Sequence, residues 1–140
     1  MKTNTLETLT KLYNLSKQIR VATKKGDYKT REKLENELKS GEHQLLKFYW
    51  YALKISKTDY LDVNYFPPCG VDDFIKALER FEVKEITVSA QNTGLMNLLN
   101  ALVNNGWKLD GMINLDVTEV CFDEIRHTTK PAIKLTKLTN

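Results

Sequence analysis

The chain has 140 residues, of which 41% are hydrophobic and 28% are charged, and its formal net charge is +3. These values are typical of a globular protein, so the composition excludes wholesale disorder. No stretch approaches the run of about 20 apolar residues that a membrane-spanning helix requires, and the first residues lack the apolar segment of a secretory signal. With two cysteines, the sequence predicts a reduced, cytoplasmic protein without a disulfide framework.

The charge is divided unevenly along the chain. Residues 1–58 carry 13 Lys and Arg against 6 Asp and Glu, whereas residues 59–140 carry 8 against 12. Such asymmetry favours a nucleic-acid or acidic-protein partner for the first half. It is equally compatible with a basic half that packs on the acidic half of its own chain, because the cations alternate with acids and form no unbroken run.

Two helices are predicted in the first part of the chain. Apolar residues recur at spacings of three and four over residues 6–23, as in an amphipathic helix, and Gly26 can end that helix in the left-handed conformation. Asp27 is a candidate N-cap for a second helix, whose apolar period extends to about Ile55 with an interruption at Gly41. Because the connection is so short, the two helices are expected to form an antiparallel hairpin.

Cations concentrate around the predicted tip of this hairpin. They are Lys17, Arg20, Lys24, Lys25, Lys29, Arg31 and Lys33. Such a cluster is a candidate surface for contact with phosphate groups or with a protein partner. Ordinary solvated helix surfaces are also rich in lysine, and nearby acids such as Glu32 weaken the field.

Four consecutive aromatic residues, 48–51, form the densest aromatic cluster. No helix can bury all four on one side, because successive residues point about 100° apart. Part of the cluster therefore faces either the second half of the chain or an external partner. Trp50 and Tyr51 are added to the candidate contact residues, with Lys47 and Lys54 near enough to hold phosphate if bases stack on the rings.

Residues 59–70 are predicted to be a linker, because they lack a helical stripe and contain Pro67 and Pro68, which exclude a helix. The sequence thus predicts a basic helical hairpin over residues 1–58 and a small α/β sheet domain over residues 71–140.

In the second half the hydrophobic period alternates between helix and strand. A helix begins after Asp72, a strand follows over residues 85–89, and a second helix ends near Gly106. A strand over residues 109–117, a polar crossing and a final strand near Ile133 complete the pattern. The predicted fold class is α+β, with a sheet of about three strands covered by two helices.

The strands at Ile86 and Ile113 are expected to be joined by a right-handed crossover if they are parallel and share one sheet. The edge of that sheet could pair with a second copy of the chain, so a homodimer is left open.

Four short segments of the second half resemble a known family: residues 74–78, 85–89, 93–96 and 106–111. The family consists of small uncharacterised proteins encoded on plasmids, integrative elements and phages of Gram-positive bacteria. The resemblance covers residues 71–117 and rests on helix caps and turns, which are structural features.

What the resemblance implies is a setting: an accessory protein of a mobile element in a Gram-positive cytoplasm. Proteins of this kind often bind a host or element-encoded protein, and some inhibit defence nucleases such as the CRISPR effector Cas9. The resemblance therefore implies a non-enzymatic inhibitor of the anti-CRISPR type that acts by stoichiometric protein binding.

A polar turn lies where the strand at 85–89 meets the next helix. Ser89, Gln91, Asn92 and Thr93 are candidates for binding an anion through this turn, because backbone N–H groups at a helix N-terminus attract negative charge. Phosphate loops usually have several glycines and a lysine, whereas Gly94 stands alone here. Capping of the helix by Asn92 or Thr93 is the ordinary alternative.

Metal and catalytic signals are weak. Cys121, Asp123 and His127 could supply ligands from one loop, but the sequence has no paired ligands such as Cys-x-x-Cys. Cys69, ahead of a predicted helix N-terminus, would have a somewhat lowered pKa if exposed, yet no histidine is tied to it as a base. We therefore predict no catalytic residue, no cofactor and no bound metal.

These observations favour a non-enzymatic interaction protein that binds a host or element-encoded protein, a nuclease effector being the most specific case. The alternative is a nucleic-acid-binding accessory factor that uses the basic hairpin, and an enzyme ranks third. Caps, turns and an apolar sheet face account for residues 71–117, so the functional surface is expected outside them: on the hairpin, at residues 48–51, or in the polar loop after Val117.

Overall fold

The structure, a computed structural model, describes residues 6, 9–91 and 94–138, with Cys121 described by its backbone alone. Within those ranges it contains five α-helices and four β-strands. The helices are α1 (Thr10–Lys24), α2 (Tyr28–Asn36), α3 (Ser40–Trp50), α4 (Val71–Arg80) and α5 (Leu95–Asn104), and a π-helical turn, Tyr51–Ile55, continues α3. The strands are β1 (Asp62–Val63), β2 (Glu85–Val88), β3 (Trp107–Cys121) and β4 (Glu124–Lys137).

The four strands form one mixed sheet in the order β1-β2-β4-β3. Strand β1 is parallel to β2, whereas β4 is antiparallel to both of its neighbours. The strands at Ile86 and Ile113 are therefore parallel and share one sheet, but β4 lies between them. The α+β prediction is confirmed; the expectation of about three strands is wrong, because the sheet has four.

Strand β1 lies inside residues 59–70, which were predicted to be a linker. It is two residues long and pairs with β2 through Asp62–Thr87 and Val63–Val88. No alternating apolar pattern marks it, because a carboxylate occupies one of its two positions. The division of the chain into residues 1–58, 59–70 and 71–140 stays a prediction.

The polar crossing expected between the last two strands is also wrong. Strand β4 begins at Glu124, directly after a two-residue turn, and pairs with β3 along nearly its whole length, from Glu124–Cys121 to Lys137–Trp107. The outer part of this hairpin has no buried face to maintain, so its sequence lacks the apolar alternation by which a half-buried strand is recognised.

The N-terminal helices are compatible with the predicted hairpin, with one change. Gly26 adopts φ +71° between α1 and α2, and the Asp27 carboxylate accepts a hydrogen bond from the Thr30 N–H (3.2 Å), as expected of an N-cap. The predicted second helix is two helices, α2 and α3, that are separated at residues 37–39. The break precedes Gly41, which lies in the first turn of α3.

One buried hydrophobic cluster connects the helices to the sheet. It joins Leu12 of α1 and Phe48 of α3 to Phe74 of α4, Ile86 of β2 and Leu135 of β4. The Phe48 and Phe74 rings meet edge to face, with 5.6 Å between their centroids. No helix within the described ranges combines the length and the apolar character that a membrane span requires.

Candidate binding groove on the helical face

A groove of about 550 Å³ opens between α1, α2 and the unit formed by α3 and the π-helical turn. It is lined by Ser16, Ile19, Arg20, Thr23, Lys24, Arg31, Glu35, Leu46, Lys47, Trp50, Tyr51 and Ile55. We call this set of residues the groove. Its volume lies within the range of roughly 300–1,000 Å³ that is usual for ligand-binding clefts.

The groove exposes large apolar side chains that the fold does not bury. Trp50, Tyr51 and Ile55 are 38%, 42% and 48% exposed, whereas the adjacent Phe48 and Tyr49 are completely buried in the core. The aromatic cluster is therefore split between the two sides of one helix, as the angle between successive residues requires.

The π-helical turn contributes two of these side chains. Its backbone is closed by a hydrogen bond from the Ser56 N–H to the Tyr51 carbonyl (3.0 Å), five residues apart. Tyr51 and Ile55 both line the groove. Single π-helical turns are rare and are found frequently at functional sites.

Cations surround the apolar part of the groove. Arg20 and Lys24 come from α1, Arg31 from α2 and Lys47 from α3, while Glu35 is the single carboxylate among the described lining residues. The Arg31 Nε lies 3.2 Å from a Glu35 carboxylate oxygen, so this pair is internally neutralised. The remaining three cations leave the described lining with an excess of positive charge.

A fourth cation lies beside the exposed indole. The Lys54 Nζ is 5.7 Å from the centroid of the Trp50 ring, within the distance of a cation–π interaction. This ammonium adds to the positive charge near the groove without covering the ring's other face.

The structure brings together five of the nine predicted contact residues. Those that line the groove are Arg20, Lys24, Arg31, Trp50 and Tyr51. The other four, Lys17, Lys25, Lys29 and Lys33, are exposed but do not line it. Sequence reasoning placed Ile19 on the core-facing stripe of α1, and it did not select Leu46 or Ile55, because apolar residues at helical spacing usually face a core.

The predicted anion-binding turn is only partly described. The Ser89 hydroxyl donates a hydrogen bond to an oxygen of the buried Asp62 carboxylate (2.6 Å), and the Thr87 hydroxyl donates to the other oxygen (2.7 Å). Ser89 is thus engaged by an acid, which does not favour an anion beside it. Gln91 is exposed, and Asn92 and Thr93 lie outside the described residues.

Asp62 supplies the carboxyl group of this polar cluster, and its surroundings shift the pKa of that group. Burial raises the pKa of its carboxyl above the usual value, against the opposing effects of the Ser89 and Thr87 hydroxyls and of the Lys130 ammonium, whose Nζ lies 3.8 Å away. Both carboxylate oxygens have partners, so the cluster fastens β1 to its neighbours and needs no ligand to complete it.

The weak metal candidates lie along the β3–β4 hairpin. Thr118 pairs with His127, and Cys121 pairs with Glu124, so the backbones of His127 and Cys121 are three residue pairs, about 10 Å, apart along the hairpin. The Thr118 hydroxyl lies 3.3 Å from the His127 Nδ1. Among the side chains that are described, which omit Cys121, no group of three or more potential metal ligands is formed.

Cys69 does not have the environment of a nucleophile. Burial raises the pKa of its thiol, and the nearby Asp73 carboxylate raises it further. A lowered pKa was expected only for an exposed thiol, and that condition is not met, because the Cys69 thiol is partly buried near an acid.

A family model described as a domain of unknown function, DUF7698, matches residues 44–137. The match begins within α3, includes Trp50, Tyr51 and Ile55 of the groove, and continues almost to the end of β4. It contains the whole of residues 71–117. Neither the curated proteins nor the solved structures include a match to the chain.

Proposed function

The chain belongs to the DUF7698 family, and we propose that it acts without catalysis, by stoichiometric binding of a partner protein. In this proposal the groove holds an acidic, apolar segment of the partner. The observation that carries the proposal is the exposure of Trp50, Tyr51 and Ile55 in one concave surface, next to three cations that Glu35 does not neutralise.

The composition of the groove supports a protein ligand. Trp, Tyr and Arg are the residues most enriched among those that dominate binding energy at protein interfaces, and each occurs in the groove. Covering apolar surface stabilises a complex by roughly 25 cal/mol per Å². Since the three large apolar side chains are each about 40–50% exposed, a partner that covers them gains this stabilisation without any change in the core.

The charges support an acidic segment in particular. Arg20, Lys24 and Lys47 lie around the apolar surface, where carboxylates of a bound segment would pair with them as the apolar side chains enter. Such pairs contribute more to specificity and to the rate of association than to affinity.

The biological setting is proposed from the resemblance alone. Over residues 71–117 the chain resembles small proteins of plasmids, integrative elements and phages, which favours an accessory protein of a mobile element. The most specific form of the proposal is inhibition of a host defence nuclease, with Cas9 as the example. This specific target is proposed from the family resemblance and not from the geometry of the groove.

Binding of single-stranded nucleic acid is the second candidate function. The observation that favours it is the pairing of two exposed aromatic rings, Trp50 and Tyr51, with nearby cations, since bases stack on such rings while phosphates contact Lys and Arg. Ile19, Leu46 and Ile55 have no role in base stacking, and they favour the protein ligand.

The proposal is tested by affinity capture with the full chain in a lysate of a Gram-positive bacterium, before and after nuclease treatment. We expect one protein to be retained under both conditions and to be lost when Trp50 and Tyr51 are both replaced by Ala. The matched control is Tyr28→Ala, because Tyr28 is 65% exposed on α2 and lies outside the groove.

Capture that disappears after nuclease treatment, and that weakens steeply with salt, would favour the nucleic-acid function instead. Equal capture by the wild-type chain and the double variant would contradict the groove as the binding surface.

A further inference from the structure

The outer end of the β3–β4 hairpin is an exposed arm. We define the arm as residues 119–126, the part of β3 and β4 that lies beyond a hydrogen bond from the Thr118 N–H to the Ser56 carbonyl (2.7 Å). Just inside this contact, Leu115 and Val117 are buried. Every side chain of the arm that is described is exposed.

The arm carries apolar side chains that are left largely exposed. Val120 and Ile125 lie directly opposite each other in the two strands, and they are 69% and 68% exposed. Phe122, at the turn, is 95% exposed. Phe122 and Asp123 both have positive φ angles, as in the two-residue turns that suit a twisted hairpin. A hairpin of this kind does not need an exposed Phe, Val and Ile to fold, and clustered exposed apolar residues mark interaction sites.

The charges of the arm complement those of the groove. The arm has three carboxylates, Glu119, Asp123 and Glu124, against one guanidinium, Arg126. Arg126 pairs with Glu124, with 3.3 Å between the nitrogen and the carboxylate oxygen. The arm is therefore an acidic segment with a large apolar tip, which is the chemistry that the groove is proposed to bind.

From this complementarity we infer that the arm of a second copy of the chain occupies the groove. Phe122 enters beside Trp50, while carboxylates of the arm meet the cations that surround the groove. The inference rests on the proposed function, because it names an occupant for the same surface.

The placement of the arm allows each of two chains to insert its arm into the groove of the other. The residue before the arm, Thr118, is hydrogen-bonded to Ser56, which directly follows the groove residue Ile55. From Thr118 to Phe122 a strand extends about 14 Å, so two arms that run side by side in opposite directions each reach from one groove towards the other. The result is a closed, two-fold dimer, the commonest symmetry of homo-oligomers.

The dimer has a consequence for partner binding. Since the arm and a partner protein would occupy the same groove, the partner must displace the arm, and the dimer must dissociate as the partner binds. Dimerisation then keeps the groove covered until a partner with higher affinity is present.

A charge-exchange experiment with the full chain tests the inference. The arm variant carries Glu119→Lys and Glu124→Lys, and the groove variant carries Arg20→Glu and Lys47→Glu. By sedimentation velocity we expect the wild-type chain to dimerise, and each variant alone to dimerise at least about tenfold more weakly. Mixing the two variants should restore a dimer, because each arm then meets a groove of opposite charge.

The matched control is Lys29→Glu with Lys33→Glu, which reverses the same number of charges at exposed positions outside the groove and should leave the dimer unchanged. A wild-type chain that stays monomeric at its highest soluble concentration would overturn the inference, as would a mixture of variants that stays monomeric although both are folded.

The two proposals fail in different ways. If the chain is monomeric but the Trp50 and Tyr51 double variant loses a captured protein, the arm inference is wrong and the proposed function stands. If the chain dimerises through arm and groove but captures no other protein, the inference stands and the partner-binding function is wrong.

Discussion

The amide of Thr118 donates a hydrogen bond to the carbonyl of Ser56 across 2.7 Å. Ser56 directly follows Ile55, which lines the groove, and Thr118 directly precedes the arm. This one backbone contact therefore places the two surfaces with unexplained apolar exposure next to each other.

Substitutions of the adjacent aromatic residues Tyr49 and Trp50 should distinguish a role in stability from a role in binding. Replacing the fully buried Tyr49 by Ala should lower the free energy of unfolding by about 3–5 kcal/mol, because it leaves a cavity in the core. Trp50→Ala should lower it by less, about 1–2 kcal/mol, since more than a third of that side chain is already exposed. Urea unfolding followed by circular dichroism measures both values. A loss of 3 kcal/mol in Trp50→Ala would show that Trp50 serves the core.

The ion pair between α3 and α4 gives a second prediction. The Arg80 Nη1 lies 2.7 Å from both oxygens of Glu42, whose side chain is 3% exposed. Arg80→Ala leaves that buried carboxylate without its cation and should lower the free energy of unfolding by about 2 kcal/mol. Arg126→Ala, which removes an ion pair with both partners exposed, should cost less than about 0.5 kcal/mol. Equal losses in the two variants would refute the role given to Glu42.

Gly41→Ala should destabilise the protein, although the same substitution usually stabilises a helix. Alanine normally stabilises a helix by about 1 kcal/mol relative to glycine. At Gly41, however, a Cβ atom would lie 2.2 Å from the backbone carbonyl oxygen of Asp73, so α3 and α4 must separate. We expect the free energy of unfolding to fall by about 2–3 kcal/mol.

The control for Gly41 is Gly26→Ala, where φ is +71° and no atom lies near the added Cβ. Its expected cost of about 1–2 kcal/mol comes from the backbone conformation alone. A stabilised Gly41→Ala variant would show that the two helices do not approach as closely as described.

The raised pKa of Asp62 predicts a specific dependence of stability on pH. Burial raises its pKa in the folded protein above the value of about 3.9 of an unfolded chain, so the folded state binds the proton more tightly. The stability that Asp62 contributes is then complete below the unfolded pKa and is lost as the pH rises through the folded pKa. Asp62→Asn should therefore gain stability relative to wild type as the pH is raised from about 4.

Urea midpoints at a series of pH values measure this difference. Lys130→Met is the comparison variant, because the Lys130 ammonium lies 3.8 Å from the Asp62 carboxylate and favours its ionised form. Without this cation, the loss of stability that accompanies ionisation of Asp62 should occur at higher pH. A difference between Asp62→Asn and wild type that does not vary with pH would contradict the raised pKa.

Much of the fold was predictable because its elements show their burial in the sequence. The helices α1, α4 and α5 and the strand β2 each have one apolar face that packs on the core, and the corresponding period is present in the chain. The unpredicted strand β1 and the wrongly expected polar crossing concern elements without such a face. Strand β1 is held by the hydroxyls of Thr87 and Ser89, which are distant in sequence, and the arm is exposed on both sides.

The sequence predicts an interruption at Gly41, whereas the break between α2 and α3 lies at residues 37–39, for a local reason. The Glu42 carboxylate accepts a hydrogen bond from the Lys39 N–H (3.3 Å), which caps the start of α3, but Lys39 is not a usual N-cap residue. A glycine is required at position 41 because α4 packs closely against it, and not because the helix ends there.

The groove could be predicted in part. Its cations and its two aromatic residues were predicted from the charge asymmetry and from a run of four aromatic residues that no single helix face can bury. Ile19, Leu46 and Ile55 were not, because an apolar residue on a helix carries no sign of whether it faces a core or a cleft. That distinction depends on how α1, α2 and α3 are arranged, which is a property of tertiary packing.

The central claim is that the groove binds an acidic, apolar protein segment. Its most direct test is to place a photo-crosslinking amino acid at Tyr51 in the full chain, with the same substitution at the exposed Tyr28 as the control. We predict protein adducts from position 51, either with a partner or with residues 119–126 of a second copy, and none from position 28. Adducts with nucleic acid alone, or no adduct from position 51, would contradict the claim.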